Sequence, residues 1–119
     1  MGMRRKAGAL VPLELAICTA AAELRGQGIE EFHGYLIAKE IKEHADNRLL
    51  TAYGTLYRAL ARLETMGLLA SRWEDAMVAA EENRPRRRFY ALTPAGDEAV
   101  ADAARAAAET RGKKGWASA

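Results

Sequence analysis

The chain has 119 residues, half of them hydrophobic and 29% charged, enough for one compact core and too little for two. Its net charge of +2 says little about a polyanionic partner, so the distribution of charge matters more than the sum. One cysteine, Cys18, excludes a disulfide framework or a thiolate metal cluster within a single chain and fits a reducing cytoplasm.

The N-terminal residues Met1 to Lys6 are charged, but the apolar stretch after them is broken by Pro12, Glu14 and Glu23, which argues against a signal or membrane-spanning helix. Leu13, Ile17, Ala20 and Leu24 recur at helical spacing and predict a first helix from Pro12 to about Leu24, with proline at the first helical position and Gly26 and Gly28 as the stop. Ile29 to His33 form a connection. A second helix is expected over Tyr35 to His44, with Ile37, Ala38 and Ile41 on its inner face and Lys39, Glu40, Lys42 and Glu43 outward. Asp46 and Asn47 make a turn, and a third helix should run from about Ala52 to Met66, ended by Gly67.

After Gly67 the pattern becomes extended. Leu69, Ser71 and Trp73 alternate with Ala70, Arg72 and Glu74, and a second extended run covers Arg87 to Leu92; the two should pair as a hairpin around a long polar loop, Asp75 to Pro85. Thr93 and Pro94 read as the N-cap and first residue of a final helix reaching about Arg111, with Gly112 and Gly115 framing a frayed tail. The expected fold is therefore mainly α with a small β-hairpin: a winged helix-turn-helix over residues 10–93, a C-terminal helix over 94–112 whose alanine-rich surface is a candidate dimerisation interface, and flexible tails at 1–9 and 113–119.

The third helix divides into two faces. Leu56, Leu60 and Leu63 point one way, whereas Thr51, Thr55, Arg58 and Arg62 follow another line. Hydroxyls bond phosphates or bases, and a guanidinium fork matches the two acceptors on the edge of guanine, so Thr55, Arg58 and Arg62 suit a major groove. An amphipathic surface helix with solvated arginines would share this pattern. In the hairpin, Arg84, Arg86, Arg87 and Arg88 are placed to meet phosphates or a minor groove; alternation sends Arg86 and Arg88 opposite ways from Arg87, and some can pair with Glu74 or Asp75 instead. His33 and His44 complete no metal motif, no catalytic triad is visible, and Cys18 reads as a small buried hydrophobe, so neither an enzyme nor a cofactor is expected.

The string from Tyr53 through Gly54, Thr55, Leu56 and Tyr57 to Arg62, Leu63 and Glu64, followed by Met66 and Gly67, resembles the recognition helix of the PadR family. Arg87, Arg88, Phe89, Tyr90, Ala91, Leu92, Thr93, Pro94, Ala95 and Gly96 resemble the end of that family's wing, and His33, Gly34 and Tyr35, followed by Ile37, Ala38 and Lys39, the start of its second helix, so the likeness spans about residues 10 to 100. Arg58 stands where many members have proline, and Leu36 where glutamate is common, leaving Leu36 as a candidate exposed contact. The resemblance implies a sequence-specific regulator of transcription, a repressor acting as a homodimer on double-stranded operator DNA and released by a small-molecule effector or another signal. It places Tyr35 and Tyr57, whose rings could otherwise fill a core, near the DNA backbone; Tyr53 and Lys39 complete the expected DNA-contact set. It also implies that the first and last helices form the dimer, through Leu13, Ile17, Ala99, Val100, Ala103, Ala106 and Ala107. Trp73 reads most simply as a core or dimer residue, and Trp116 has no assignable place. A winged-helix module that binds protein instead of DNA is the competing reading.

Overall fold

The computed structural model describes residues 10–44 and 53–118; for residues 44, 53 and 112–118 only the backbone is described. The elements follow in the order α1 Pro12–Gly26, α2 Gly34–His44, α3 Tyr53–Thr65, β1 Leu69–Trp73, α4 Ala76–Glu81, β2 Arg88–Leu92 and α5 Pro94–Ser118. Mainly helical with one two-stranded antiparallel sheet, the chain has the winged helix-turn-helix plan with an added C-terminal helix.

Helix ends are set by local chemistry. Pro12 opens α1 without sacrificing a needed donor, and the amide of Val11 donates to Glu14 Oε1 at 3.2 Å. Gly28, at φ +91°, closes α1 by donating to Arg25 O while Ile29 donates to Leu24 O, both at 2.9 Å. Gly67, at φ +79°, repeats this closure on α3, with Leu68 donating to Leu63 O at 2.9 Å. A positive φ is cheap for glycine, and the paired bonds use carbonyls that a helix end would otherwise leave unmet.

The core lies where three helices meet the sheet. Ile17, Cys18 and Leu24 of α1, Ile37 and Ile41 of α2, and Leu56, Leu60 and Leu63 of α3 are buried together, roofed by Leu69, Tyr90 and Ala99. The antiparallel register pairs Leu69 with Leu92 and Trp73 with Arg88. Thr93 joins sheet to helix: its amide donates to Leu68 O at 3.1 Å, its hydroxyl to Gly67 O at 2.6 Å, and that hydroxyl accepts from the Gly96 amide at 3.1 Å. This is the expected N-cap.

Several features depart from the sequence pattern. The connection after α1 is pinned, because Phe32 forms a β-bridge with Tyr90 through two backbone bonds of 2.8 and 2.9 Å. The hairpin loop contains α4, nucleated by Asp75, whose carboxylate accepts from the Met77 amide at 2.8 Å. Glu40, expected to face outward, is buried, and Leu36 is half-buried against the core. Trp73 is not a core residue: it is 53% exposed. The backbone of α5 continues to Ser118 instead of stopping near Arg111, since an isolated glycine weakens a helix without ending it. No helix of the described residues is long and apolar enough to cross a membrane.

Candidate nucleic-acid interface

The exposed side of α3 carries Arg58, whose guanidinium donates to the half-buried Thr55 hydroxyl at 3.3 Å, and Tyr57, which is exposed. Leu56, Ala59, Leu60 and Leu63 on the opposite side are buried, so the division legible in the sequence is the division in space. Thr51 lies outside the described residues, and so does the side chain of Tyr53. Arg62 leaves the expected outward line: its Nε donates to Glu14 Oε2 at 2.9 Å, and Glu14 is 0% exposed on α1. Spacing along α3 could not reveal this, because the partner is 48 residues away in sequence.

The wing arginines separate into different roles. Arg84 binds Glu74 with both ends of its fork, at 2.6 and 2.8 Å, and adds Glu82 at 3.0 Å. Arg86 Nε donates to the Glu74 carbonyl at 2.9 Å. Arg86 and Arg88 both lie against Trp73, with guanidinium carbons 5.8 and 5.1 Å from its ring centroid, on the face opposite Phe89 and Arg72. Arg88 also reaches Glu64 of α3 at 3.5 Å. Arg87 is exposed, and its backbone amide donates to Glu74 Oε1 at 3.2 Å.

Between the start of α2, the side of α3 and the wing is an open cleft of about 510 Å³, lined by His33, Tyr35, Tyr57, Trp73 and the segment Arg84, Pro85, Arg86, Arg87 and Arg88. Tyr35 is exposed beside it, and Lys39 is exposed one turn further along α2. His33 Nδ1 accepts from the Leu36 amide at 3.3 Å, which requires that nitrogen to be unprotonated. Burial holds the imidazole below its ordinary pKa, and the charges of Arg87 and Arg84 press in the same direction. The cleft is thus aromatic, cationic and open, a surface for an anion with planar groups.

Glu74 organises the wing. Hydrogen bonds from Arg84 and then from the Arg87 backbone hold its carboxyl at about 2, against an ordinary 4.5, despite opposing desolvation. Glu31 beside Arg72 and Asp97 beside Arg25 are lowered in the same way. The unfolded chain therefore takes up protons at higher pH than the folded one, and stability should decline as pH falls from about 4.5 towards 2. Thermal melts of Glu74→Gln should show a smaller decline over that window than the native chain; parallel curves would remove Glu74 from the account.

The expected dimer residues divide as well. Leu13, Ile17 and Ala99 are buried inside the single chain, and Ile17, fully covered, has no surface left for a partner; helical spacing cannot tell a core stripe from an interface stripe. Val100 and Ala103 are half-buried, whereas Ala106 and Ala107 are exposed, in the stretch 104–111 of α5 where every side chain is exposed.

Among the described residues no three histidine, cysteine, aspartate or glutamate side chains gather to hold a metal ion. No curated protein matches the chain. Of solved structures, a PadR family transcription regulator from hypervirulent Clostridium difficile matches with a TM-score of 0.69 at 20% identity, covering 90% of this chain and 98% of its own. A transcriptional regulator from Clostridium thermocellum matches with a TM-score of 0.64 at 24% identity, over 87% of this chain and 86% of that one. A PadR family transcriptional regulator from Eggerthella lenta shares 26% identity, with a TM-score of 0.59 over 87% of this chain and 84% of its own. The first two carry the fold alone, but the model of the transcriptional regulator PadR-like family matches residues 26–102, the span that contains the second and third helices, the wing and the start of the last helix. The chain belongs to the PadR-like family of transcriptional regulators.

Proposed function

We propose that this regulator is a sequence-specific repressor that binds double-stranded DNA as a homodimer, with α3 in the major groove and the wing along the phosphate backbone. The observation that carries the reading is the cleft that gathers Tyr35, Arg86, Arg87 and Arg88 with Tyr57 of α3, the helix whose solvent-facing residues also include Thr55 and Arg58. A hydroxyl and a guanidinium on the outer face of a buried-backed helix can meet base edges, while tyrosine hydroxyls and wing guanidinia suit phosphates. Arg84 belongs to the wing's own ion-pair network and is left out of the contact set.

A single recognition helix and wing make a small footprint, and affinity for an operator is reached by pairing two copies on a symmetric site. The exposed alanines of α5, Ala106 and Ala107, suit a close helix-to-helix approach, and an uncovered alanine-rich helix is only marginally stable in water. Two recognition helices must sit about one turn of DNA apart, so a signal or small-molecule effector that repacked α5 would release the operator.

The test is retention of promoter fragments from its own gene by the purified protein, across a salt series. Arg58→Ala should weaken binding, and if Arg58 meets a phosphate the slope of log affinity against log salt falls by about one. Undiminished binding after Arg58→Ala, with the dimer intact, would exclude the proposed use of α3.

A further inference from the structure

Arg62 lies on α3 one turn beyond Arg58, yet its Nε is spent inside the molecule. Glu14, its partner, is wholly buried beside Ile17 and Cys18, and takes Arg62 Nε at 2.9 Å on Oε2 and the Val11 amide at 3.2 Å on Oε1. A carboxylate removed from water demands such partners, since desolvation strongly penalises an uncompensated charge. Cys18 beside it is equally covered, and burial first, then the charge of Glu14, push its thiol up to about 12. Arg62 itself is 46% exposed at the side chain, so it bridges the surface of α3 to the interior of α1.

At the other end of α1, Arg25 binds Asp97 of α5 with both arms of its fork. Glu14 and Arg25 stand about 16 Å apart along the helix at 1.5 Å per residue, so α1 is fastened at one end to the recognition helix and at the other to the helix proposed to form the dimer. We infer that Arg62 is a positioning residue for DNA recognition: through Glu14 it fixes the aim of α3 on α1, and with Arg25 and Asp97 it makes α1 the rigid link between dimer spacing and recognition-helix placement. This inference rests on the proposed DNA-binding role of α3. It assigns the reading of DNA to Thr55 and Arg58, and a geometric task to the arginine that sequence spacing alone would aim at a base.

The experiment is a double-mutant cycle on full-length protein, with binding measured across a salt series to a duplex that the native protein retains. Arg62→Ala and Glu14→Gln should each weaken binding by about tenfold without changing the salt slope, and the combined variant should be no worse than the poorer single one. Arg58→Ala serves as the contact control: its loss should add to that of Glu14→Gln instead of being absorbed by it. Because a buried carboxylate left without Arg62 can unfold the chain, Glu14→Leu combined with Arg62→Met removes both charges at once, a replacement that folded proteins often tolerate. That variant should melt near the native temperature and still bind about tenfold more weakly, which a purely structural role would not produce. Native-like affinity in the folded Glu14→Leu, Arg62→Met variant overturns the inference. So does a slope reduced by about one in Arg62→Ala with Glu14→Gln unaffected, which would make Arg62 a phosphate contact. Failure of the native protein itself to bind duplex would instead remove the DNA-binding reading beneath it, and the inference with it.

Discussion

Phe32→Ala should destabilise the chain by about 3–5 kcal/mol, the range for truncating a buried aromatic ring to a methyl group. Phe32 is 1% exposed and its ring centroid lies 6.0 Å from that of Tyr90 in a near-parallel arrangement. Its backbone also exchanges two hydrogen bonds with Tyr90, so the residue is in effect a short third edge of the wing sheet. Losing the ring leaves a cavity where the connection after α1, the second wing strand and the core meet, and these elements cannot collapse into it without breaking that bridge. For a domain of this size the loss corresponds to a melting temperature lower by about 12–20 °C, out of a total stability of about 5–15 kcal/mol. Circular dichroism melts at fixed protein concentration would measure it. A fall of only a few degrees would mean that the Phe32 pocket relaxes freely and that the connection is not anchored as described.

The second large effect concerns Gly96, in the first turn of α5. Helix propensity alone makes Gly→Ala stabilising by up to about 1 kcal/mol. Here a Cβ would stand 2.4 Å from the carbonyl oxygen of Leu68 and 2.5 Å from Leu92 Cδ1, and the first of these is backbone that cannot swing aside. The same carbonyl accepts from Thr93, so moving it disturbs the junction between wing and last helix. Gly96→Ala should therefore cost about 2 kcal/mol net, as overpacking outweighs the propensity gain. Gly54, on α3, supplies the contrast: its added Cβ would meet nothing nearer than Arg58 Nη1 at 3.5 Å, so Gly54→Ala should be neutral or slightly stabilising. Equal responses at the two positions would refute the packing argument.

Glycines 67 and 96 show how differently two glycines of the family-like strings can be legible. Gly67 is readable as a helix stop because its role is local, a positive φ at the end of α3. Gly96 can be matched to a family pattern, but its physical reason is the proximity of Leu68, 28 positions earlier. Cys18 was legible as a buried hydrophobe from its place in the apolar run of α1, and it is buried. Trp73 was not: a tryptophan at a strand end suits a core or an interface, and only the register that sets it opposite Arg88, with Arg86 two residues away, turns it into an exposed platform for two guanidinia.

By itself the sequence determined the helices other than α4, the hairpin, their order, the apolar inner faces and the caps, because periodicity, glycine stops and threonine or proline starts act within a few residues of one another. It also carried the strings that mark a PadR-like regulator. Only the tertiary structure decided which charged residues remain available to a partner. Arg62, Arg58, Arg84 and Arg87 are chemically alike along the chain, but a buried glutamate on another helix engages the first and a carboxylate across the hairpin engages the third. Burial and pairing are properties of groups brought together from distant positions, and a guanidinium spent on an internal carboxylate cannot be told from an open one by spacing.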